Sequence, residues 1–167
     1  MSTQDNIDLV ERFIDDVWNN QNTENASQYL ADDYVEHNPM GDFEGIDGFH
    51  TFLEMVLEAF PDNQIDLKEA TGDDRMVAFH YQIRGTHKGN LGSQEPTNEQ
   101  SQLEACYVGR IEDGKIAEAW YQFDQLSLLV QLGLIELPDF MQELQRQMSG
   151  DGERIERGGR TPGRPGA

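Results

Sequence analysis

The sequence predicts an α+β domain in which N-terminal helices cover one face of a curved antiparallel sheet. Apolar residues recur at helical spacing in the first 60 positions, whereas the next 60 are rich in β-branched and aromatic residues. Helices followed by a run of strands favour a fold in which helices and sheet form separate layers. Such an arrangement leaves a pocket between the sheet and the helices, which is where we expect a small molecule to bind.

Each predicted element has a local signal. Helices are predicted over 5–20, 24–30 and 46–60, the last ending at Pro61. Between the second and third helices, Pro39 disfavours a helical conformation at the preceding residue, so a loop is expected around Pro39. Four strands, a polar loop and two short helices should follow: strands at 64–71, 76–86, 101–112 and 115–123, the loop at 88–100, and helices at 125–132 and 139–148.

The sharpest signal is the two-residue turn Asp113-Gly114, which is typical of a β-hairpin. A regular hairpin would pair Glu112 with Lys115, Ile111 with Ile116, Tyr107 with Trp120 and Leu103 with Asp124. On this register one apolar face also carries Glu118 and Asp124, and Asp124 becomes a candidate acid or base. An N-cap of the following helix, accepting near Ser127, is the structural alternative for Asp124.

The composition of the chain argues against two classes of binding partner. The chain has 32 acidic and 12 basic residues and a net charge of −20, which argues against nucleic acid or an anionic membrane as a partner. A more specific hypothesis is that this charge is an adaptation to high salt, where the repulsion between like charges is screened. We expect a soluble cytoplasmic protein, because no leader and no apolar run of roughly 18–20 residues is visible.

The cysteine and histidine content favours neither a disulfide framework nor a metal site. Cys106 is the single cysteine, and a packed thiol is the simplest interpretation of it. His37, His80 and His87 lack the local spacing of a metal site, so we predict no metal. His80 should point away from the pocket, since it alternates with Phe79, Tyr81 and Ile83, whereas His87 is in phase with them.

The expected domain organisation is one domain over 1–148 followed by a disordered tail over 149–167. The tail is rich in Gly, Arg and Pro, and it has almost no apolar residue to bury. A homodimer is predicted as well, because a second apolar stripe on the last strand needs cover on the side opposite the pocket. That stripe consists of Ala117, Ala119, Tyr121 and Phe123.

Several short motifs, in a consistent order over roughly 5–135, resemble the SnoaL-like polyketide cyclases, also called ester cyclases. The motifs are 33–39 (DYVEHNP), 85–89 (GTHKG), 112–120 (EDGKIAEAW), Asp124 and 131–133 (QLG). The resemblance implies a cone-shaped fold shared with ketosteroid isomerase and nuclear transport factor proteins, usually dimeric through the sheet. It also implies a cofactor-free aldol-type ring closure, with the aspartate that follows the last strand's tryptophan, here Asp124, as acid/base.

These observations define a predicted site for an apolar small molecule. The predicted catalytic residues are Asp124 and His37. The predicted substrate-binding residues are Asn38, His80, His87, Tyr107 and Trp120. For His37 a purely structural role in its loop is an equal alternative. No cofactor is predicted. The function predicted is acid/base catalysis next to a carbonyl, and the alternative is a non-catalytic binding or interaction module of the same fold.

Overall fold

The computed structural model describes residues 2–149, and the chain divides into two compact units, Met1–Ile135 and Glu136–Ala167. The predicted disordered tail lies almost wholly outside the described residues. In the second unit, helix α5 spans Asp139–Met148 and is amphipathic, with Phe140 and Leu144 exposed. No helix within 2–149 has the length and apolar character that a membrane crossing requires.

Four α-helices belong to the first unit, and the predicted first and third helices are confirmed. Helix α1 (Thr3–Phe13) begins with a capping box between Ser2 and Asp5 and continues as π-helical turns over Ile14–Asn19. A short 3₁₀ turn (Thr23–Asn25) leads into the single-turn helix α2. The remaining bounds are α2 Ala26–Tyr29, α3 Gly45–Ala59 and α4 Gln125–Gln131.

The sheet has six strands in the order β2-β1-β6-β5-β4-β3. Their bounds are β1 Leu30–Asn38, β2 Gly41–Glu44, β3 Gln64–Gly72, β4 Met76–Thr86, β5 Gln100–Glu112 and β6 Lys115–Phe123. The four predicted strands are confirmed. The predicted loop before Pro39 is wrong, because this segment forms β1, which runs parallel to β6. Extended backbone before a proline suits a strand as well as a loop.

The register of the β5–β6 hairpin differs from the prediction after its first two pairs. Ile111 pairs with Ile116 as expected, but Arg110 then pairs with Glu118, so Ala117 is the extra residue of a β-bulge. Beyond the bulge each β6 side chain faces the side opposite to the one predicted. The shift has a physical reason: a regular register would bury the Glu118 carboxylate and the Gln122 amide in the core.

The core lies between the helices and one face of the sheet. Phe13, Trp18 and Phe49 from the helices pack on Tyr34 and Tyr107 from the strands. The α+β class, with N-terminal helices over a curved sheet, is therefore confirmed. The opposite face, here called the outer face, carries the side chains of His37, His80, Cys106, Val108, Arg110, Glu118 and Trp120.

Candidate functional site

A cavity of about 260 Å³ opens between helix α3, helix α4 and one end of the sheet. Its walls are mostly apolar and aromatic, with Phe52 and Phe60 from α3 and its C-cap facing Leu103 and Phe123 from the strands. The polar side chains at its surface are few: Asn38, Asn63, Tyr81, Ser101, Tyr121 and Gln125. A cavity of this kind fits an apolar small molecule whose orientation is fixed by a small number of hydrogen bonds.

Glu36 is a buried carboxyl group beside this cavity. It lies on β1 facing the core and is 0 % exposed. Burial raises the pKa of Glu36 to about 7, although hydrogen bonds from Asn38 and Tyr34 act to lower it. A carboxyl group with such a pKa exchanges a proton readily near neutral pH.

Tyrosine side chains surround Glu36. The Tyr34 hydroxyl donates a hydrogen bond to Glu36 Oε2 at 3.3 Å. Burial, together with the nearby Glu36 charge, raises the pKa values of Tyr81, Tyr107 and Tyr121, so these phenols stay protonated. Tyr81 and Tyr121 also line the cavity and can donate hydrogen bonds to a ligand oxygen.

Asn38 lies between Glu36 and the cavity. Its Nδ2 donates to Glu36 Oε1 at 3.1 Å, and its Oδ1 accepts from the backbone N–H of Met40 at 2.8 Å. Asn38 and Met40 both line the cavity, whereas Glu36 does not. The Asn38 side chain therefore separates the Glu36 carboxyl group from any ligand in the cavity. Asn38 was predicted to bind substrate, and the structure places it at the cavity wall.

Asp124 is placed at the start of helix α4 rather than at the cavity. Its Oδ1 accepts from the backbone N–H of Ser127 at 2.9 Å, which is the N-cap geometry considered as its alternative. The neighbouring Phe123 and Gln125 line the cavity, and Asp124 does not. The predicted orientation of Asp124 into the pocket is wrong because it depended on a regular hairpin without the bulge at Ala117.

His37 and Trp120 lie on the outer face, where their rings stack at 5.4 Å between centroids. His37 bridges Asp42 and Glu118, each at 2.9 Å, and hydrogen bonds to these two carboxylates raise its pKa. Glu118 in turn accepts from Arg110 at 3.0 Å. The expectation that Trp120 walls the pocket is wrong, since the bulge turns it outward, and His37 is held in a surface network away from the cavity.

The other predicted binding residues also lie off the cavity surface. His80 is on the outer face, as its phase predicted, and contacts Glu104 at 2.7 Å. Tyr107 is buried in the core behind the cavity, packed edge-on against Tyr121. His87 is fully buried next to Phe60, with ring centroids 5.5 Å apart. Asn38 is thus the one predicted site residue at the cavity surface.

Glu36, Asn63 and the lining tyrosines are residues of this region that the sequence analysis missed. Glu36 alternates with Tyr34 and Asn38, a period-two pattern that would have placed all three on one strand face had 30–38 been assigned to a strand. Tyr121 was assigned to the outer face because the bulge was not foreseen. In the part of the chain that the structure describes, no group of three or more His, Cys, Asp or Glu side chains is arranged so that it could hold a metal ion.

Comparisons with known proteins agree with this fold. The family model for SnoaL-like polyketide cyclases matches residues 8–132. AclR from Streptomyces galilaeus, a proposed hydroxylase, has a TM-score of 0.74 at 23 % identity, covering 90 % of this chain and 95 % of that one. TsrD from Streptomyces laurentii has a TM-score of 0.72 at 20 % identity, covering 81 % and 99 %.

A third similar structure is IdmH from Streptomyces antibioticus, a proposed polyketide cyclase. It has a TM-score of 0.66 at 24 % identity, covering 75 % of this chain and 96 % of that one. No sequence match to a curated protein reaches significance. At these identities the structural neighbours establish the fold.

Proposed function

Because the chain belongs to the SnoaL-like polyketide cyclase family, we propose that it catalyses cofactor-free proton transfer next to a carbonyl group of an apolar small molecule. The reaction class is an aldol-type cyclisation or an isomerisation of a polyketide-like or ester substrate. The single observation that carries the proposal is Glu36, a buried carboxyl group with a pKa near neutrality beside an apolar cavity. Carboxyl groups whose pKa is shifted in this way are found more often at active sites than elsewhere in proteins.

In the proposed step, ionised Glu36 removes a proton from the carbon next to the substrate carbonyl and later returns it. Access requires the Asn38 side chain to rotate away from Glu36 Oε1, the atom to which it donates. The bond broken is C–H, the bond formed is O–H on Glu36, and the electron pair moves to the carbonyl oxygen as an enolate. No oxidant, reductant or metal is needed for this balance.

The enolate oxygen needs hydrogen-bond donors in a dry site. Tyr81 and Tyr121 supply phenol hydroxyl groups at the cavity wall, and their raised pKa values keep them as donors. The Asn38 amide supplies a third donor once it turns from Glu36. The proposal therefore gives the acid/base role predicted for Asp124 and His37 to Glu36. Asp124 caps helix α4 and His37 lies on the outer face, whereas Glu36 contacts the cavity-lining Asn38.

Exchange of carbon-bound hydrogen provides the test, because it detects proton transfer even when the natural substrate is unidentified. Wild-type protein in D₂O should accelerate deuterium incorporation next to the carbonyl of bicyclic ketones and β-keto esters, followed by NMR. Glu36→Gln should lower the rate on the order of 10²- to 10⁴-fold, the usual worth of a general base. Asp124→Asn retains most of the cap and is the matched control.

The outcomes separate the two candidate carboxyl groups. An unchanged exchange rate in Glu36→Gln would contradict the proposal. A loss of exchange confined to Asp124→Asn would contradict it as well and would return the acid/base role to Asp124. His37→Gln should leave the rate unchanged, because His37 lies on the outer face.

A second candidate function is binding without turnover. It is favoured by one observation, that no carboxylate or imidazole side chain of the described residues lines the cavity. A thermal-shift screen with polycyclic ketones and β-keto esters, followed by the exchange assay on the hits, distinguishes the two. Ligands that raise the melting temperature but undergo no accelerated exchange would establish the binding function.

We also propose a homodimer through the outer face of the sheet. The stripe predicted for this role is wrong, because Ala119, Tyr121 and Phe123 face the core beyond the bulge. Support comes instead from the half-buried side chains of Val108 and Trp120 on the outer face. Light scattering in high salt should give twice the chain mass, and Trp120→Glu should give a monomer, whereas a wild-type monomer would contradict the dimer.

A further inference from the structure

The cavity has a second polar corner, formed by Phe60, Asn63 and Gly85 and here called the Asn63 corner. Asn63 lines the cavity and is 3 % exposed. Its backbone N–H donates to the Phe60 carbonyl at 2.9 Å, which fixes the residue in the turn after α3. Its side-chain Nδ2 is buried and has no hydrogen-bond partner among the described residues.

His87 is a second buried polar residue near this corner, but it lies off the cavity surface, with its ring centroid 5.5 Å from that of Phe60. The backbone N–H of Thr97 donates to His87 Nδ1 at 3.2 Å, and Thr97 Oγ1 lies 3.1 Å from the same nitrogen. Nε2 is buried without a partner in the part of the chain described. Unpaired buried polar groups are destabilising, and of these two only Asn63 is at the cavity wall.

Glycine at position 85 allows close packing at this corner. A Cβ atom there would lie 3.2 Å from Phe60 Cβ and 3.6 Å from Asn63 Cα, so Phe60 and Asn63 approach the strand where a side chain would stand. Gly85 itself lines the cavity. Because Asn63 Nδ2 is buried, its N–H reaches a ligand when the Asn63 side chain turns toward the cavity.

The Asn63 corner and Asn38 lie on opposite sides of the cavity. Asn38 ends β1, Asn63 immediately precedes β3, and strands β6, β5 and β4 lie between them in the sheet. The curved sheet thus presents one amide at each flank and apolar side chains between. No lysine, arginine or histidine lines the cavity within the described residues, so an anionic ligand would have no cation there.

We propose that Asn63 is a specificity-determining residue that donates a hydrogen bond to an acceptor oxygen of the ligand. The ligand class is a neutral apolar molecule with an acceptor oxygen at each end, one near Asn38 and one at the Asn63 corner. This inference rests on the proposed function only for the oxygen near Asn38. A second keto or ester oxygen is what a polyketide-like chain would offer.

The test compares two probes, a decalin dione with its carbonyls on opposite rings and the decalone with only one carbonyl. Calorimetric titration of the wild-type protein should show that the dione binds roughly 3- to 10-fold more tightly, the worth of one neutral hydrogen bond. In Asn63→Leu the preference should reverse, because the second carbonyl is then buried without a donor. Gln125→Leu, another cavity-lining amide, is the matched control and should keep the dione preference.

An unchanged dione preference in Asn63→Leu, an equal loss in Gln125→Leu, or a wild-type protein that binds neither probe would overturn the inference. If Asn63→Leu fails to fold, the side-chain NH₂ signals of ¹⁵N-labelled wild-type protein decide: one pair should shift with the dione and not with the decalone. Absence of such a shift would count against the inference. If only the proposed function is wrong, the protein should leave hydrogen exchange at its uncatalysed rate while still binding the dione more tightly than the decalone.

Discussion

At the scale of single residues, Glu36 is the side chain that departs most from what packing alone would select. Glu36 is buried and accepts two hydrogen bonds, and no cation is paired with it among the described residues. Burial therefore destabilises its ionised form. Its position between Tyr34 and Asn38 was visible in the sequence, yet its burial was not, because nothing local distinguishes a buried glutamate from the many exposed ones. Only the pairing of β1 with β6 places Glu36 toward the core.

The raised pKa of Glu36 predicts a specific pH dependence of stability. The folded-state pKa of about 7 lies above the ordinary value of 4.5, so the folded protein holds this proton more tightly than the unfolded chain. The free energy of unfolding should therefore fall as the pH rises from 4.5 to 7, by about 3 kcal/mol from this group. Glu36→Gln should remove that decline and be more stable than wild type at pH 8.

Urea denaturation at several pH values measures this effect. Glu69→Gln, which changes an exposed glutamate, is the control and should retain the decline. A Glu36→Gln protein with the same pH profile as wild type would show that Glu36 is ionised in the folded state without cost.

At the scale of elements, most helices and strands were predictable, and the exceptions altered the site. The Asp113-Gly114 turn predicted its hairpin and the first two pairs correctly. The bulge at Ala117 was not predicted, because the turn residues carry no information about a register shift three residues later. The alternation of Ala119, Tyr121 and Phe123 against Glu118 and Gln122 was the available signal, and it favours the bulged register.

The cap at the start of α4 yields a prediction at this scale. Asp124→Ala removes the acceptor of the Ser127 N–H and should cost about 1 kcal/mol of stability. For a domain of this size the melting temperature should fall by about 2–4 °C. Asp124→Asn should cost much less, since asparagine is also a good N-cap. Equal melting temperatures for wild type and Asp124→Ala would contradict the capping role.

At the scale of the whole molecule, the family resemblance and the α+β class followed from the sequence, whereas the wall of the cavity did not. The order of helices and strands indicates a layer architecture. The cavity lining joins residues from α3, α4 and five strands or their ends, such as Asn38, Phe52, Ile65, Leu103 and Leu128. Long-range assembly of this kind depends on strand order, which a single sequence does not reveal. The cytoplasmic location stays a prediction.

The net charge of −20 predicts a strong dependence on salt. Repulsion between surface carboxylates is screened as the Debye length falls from about 8 Å at physiological ionic strength to about 3 Å at 1 M. The melting temperature should rise between low and molar KCl if the charge is an adaptation to high salt. A flat or falling melting temperature would contradict this hypothesis.

The most direct test of the central claim is the titration of the Glu36 side chain by ¹³C NMR of its carboxyl carbon, assigned by comparison with Glu36→Gln. We predict a midpoint near pH 7 and a change in that midpoint when a bicyclic ketone occupies the cavity. A midpoint close to the ordinary glutamate value of 4.5, unaffected by the ketone, would contradict the account.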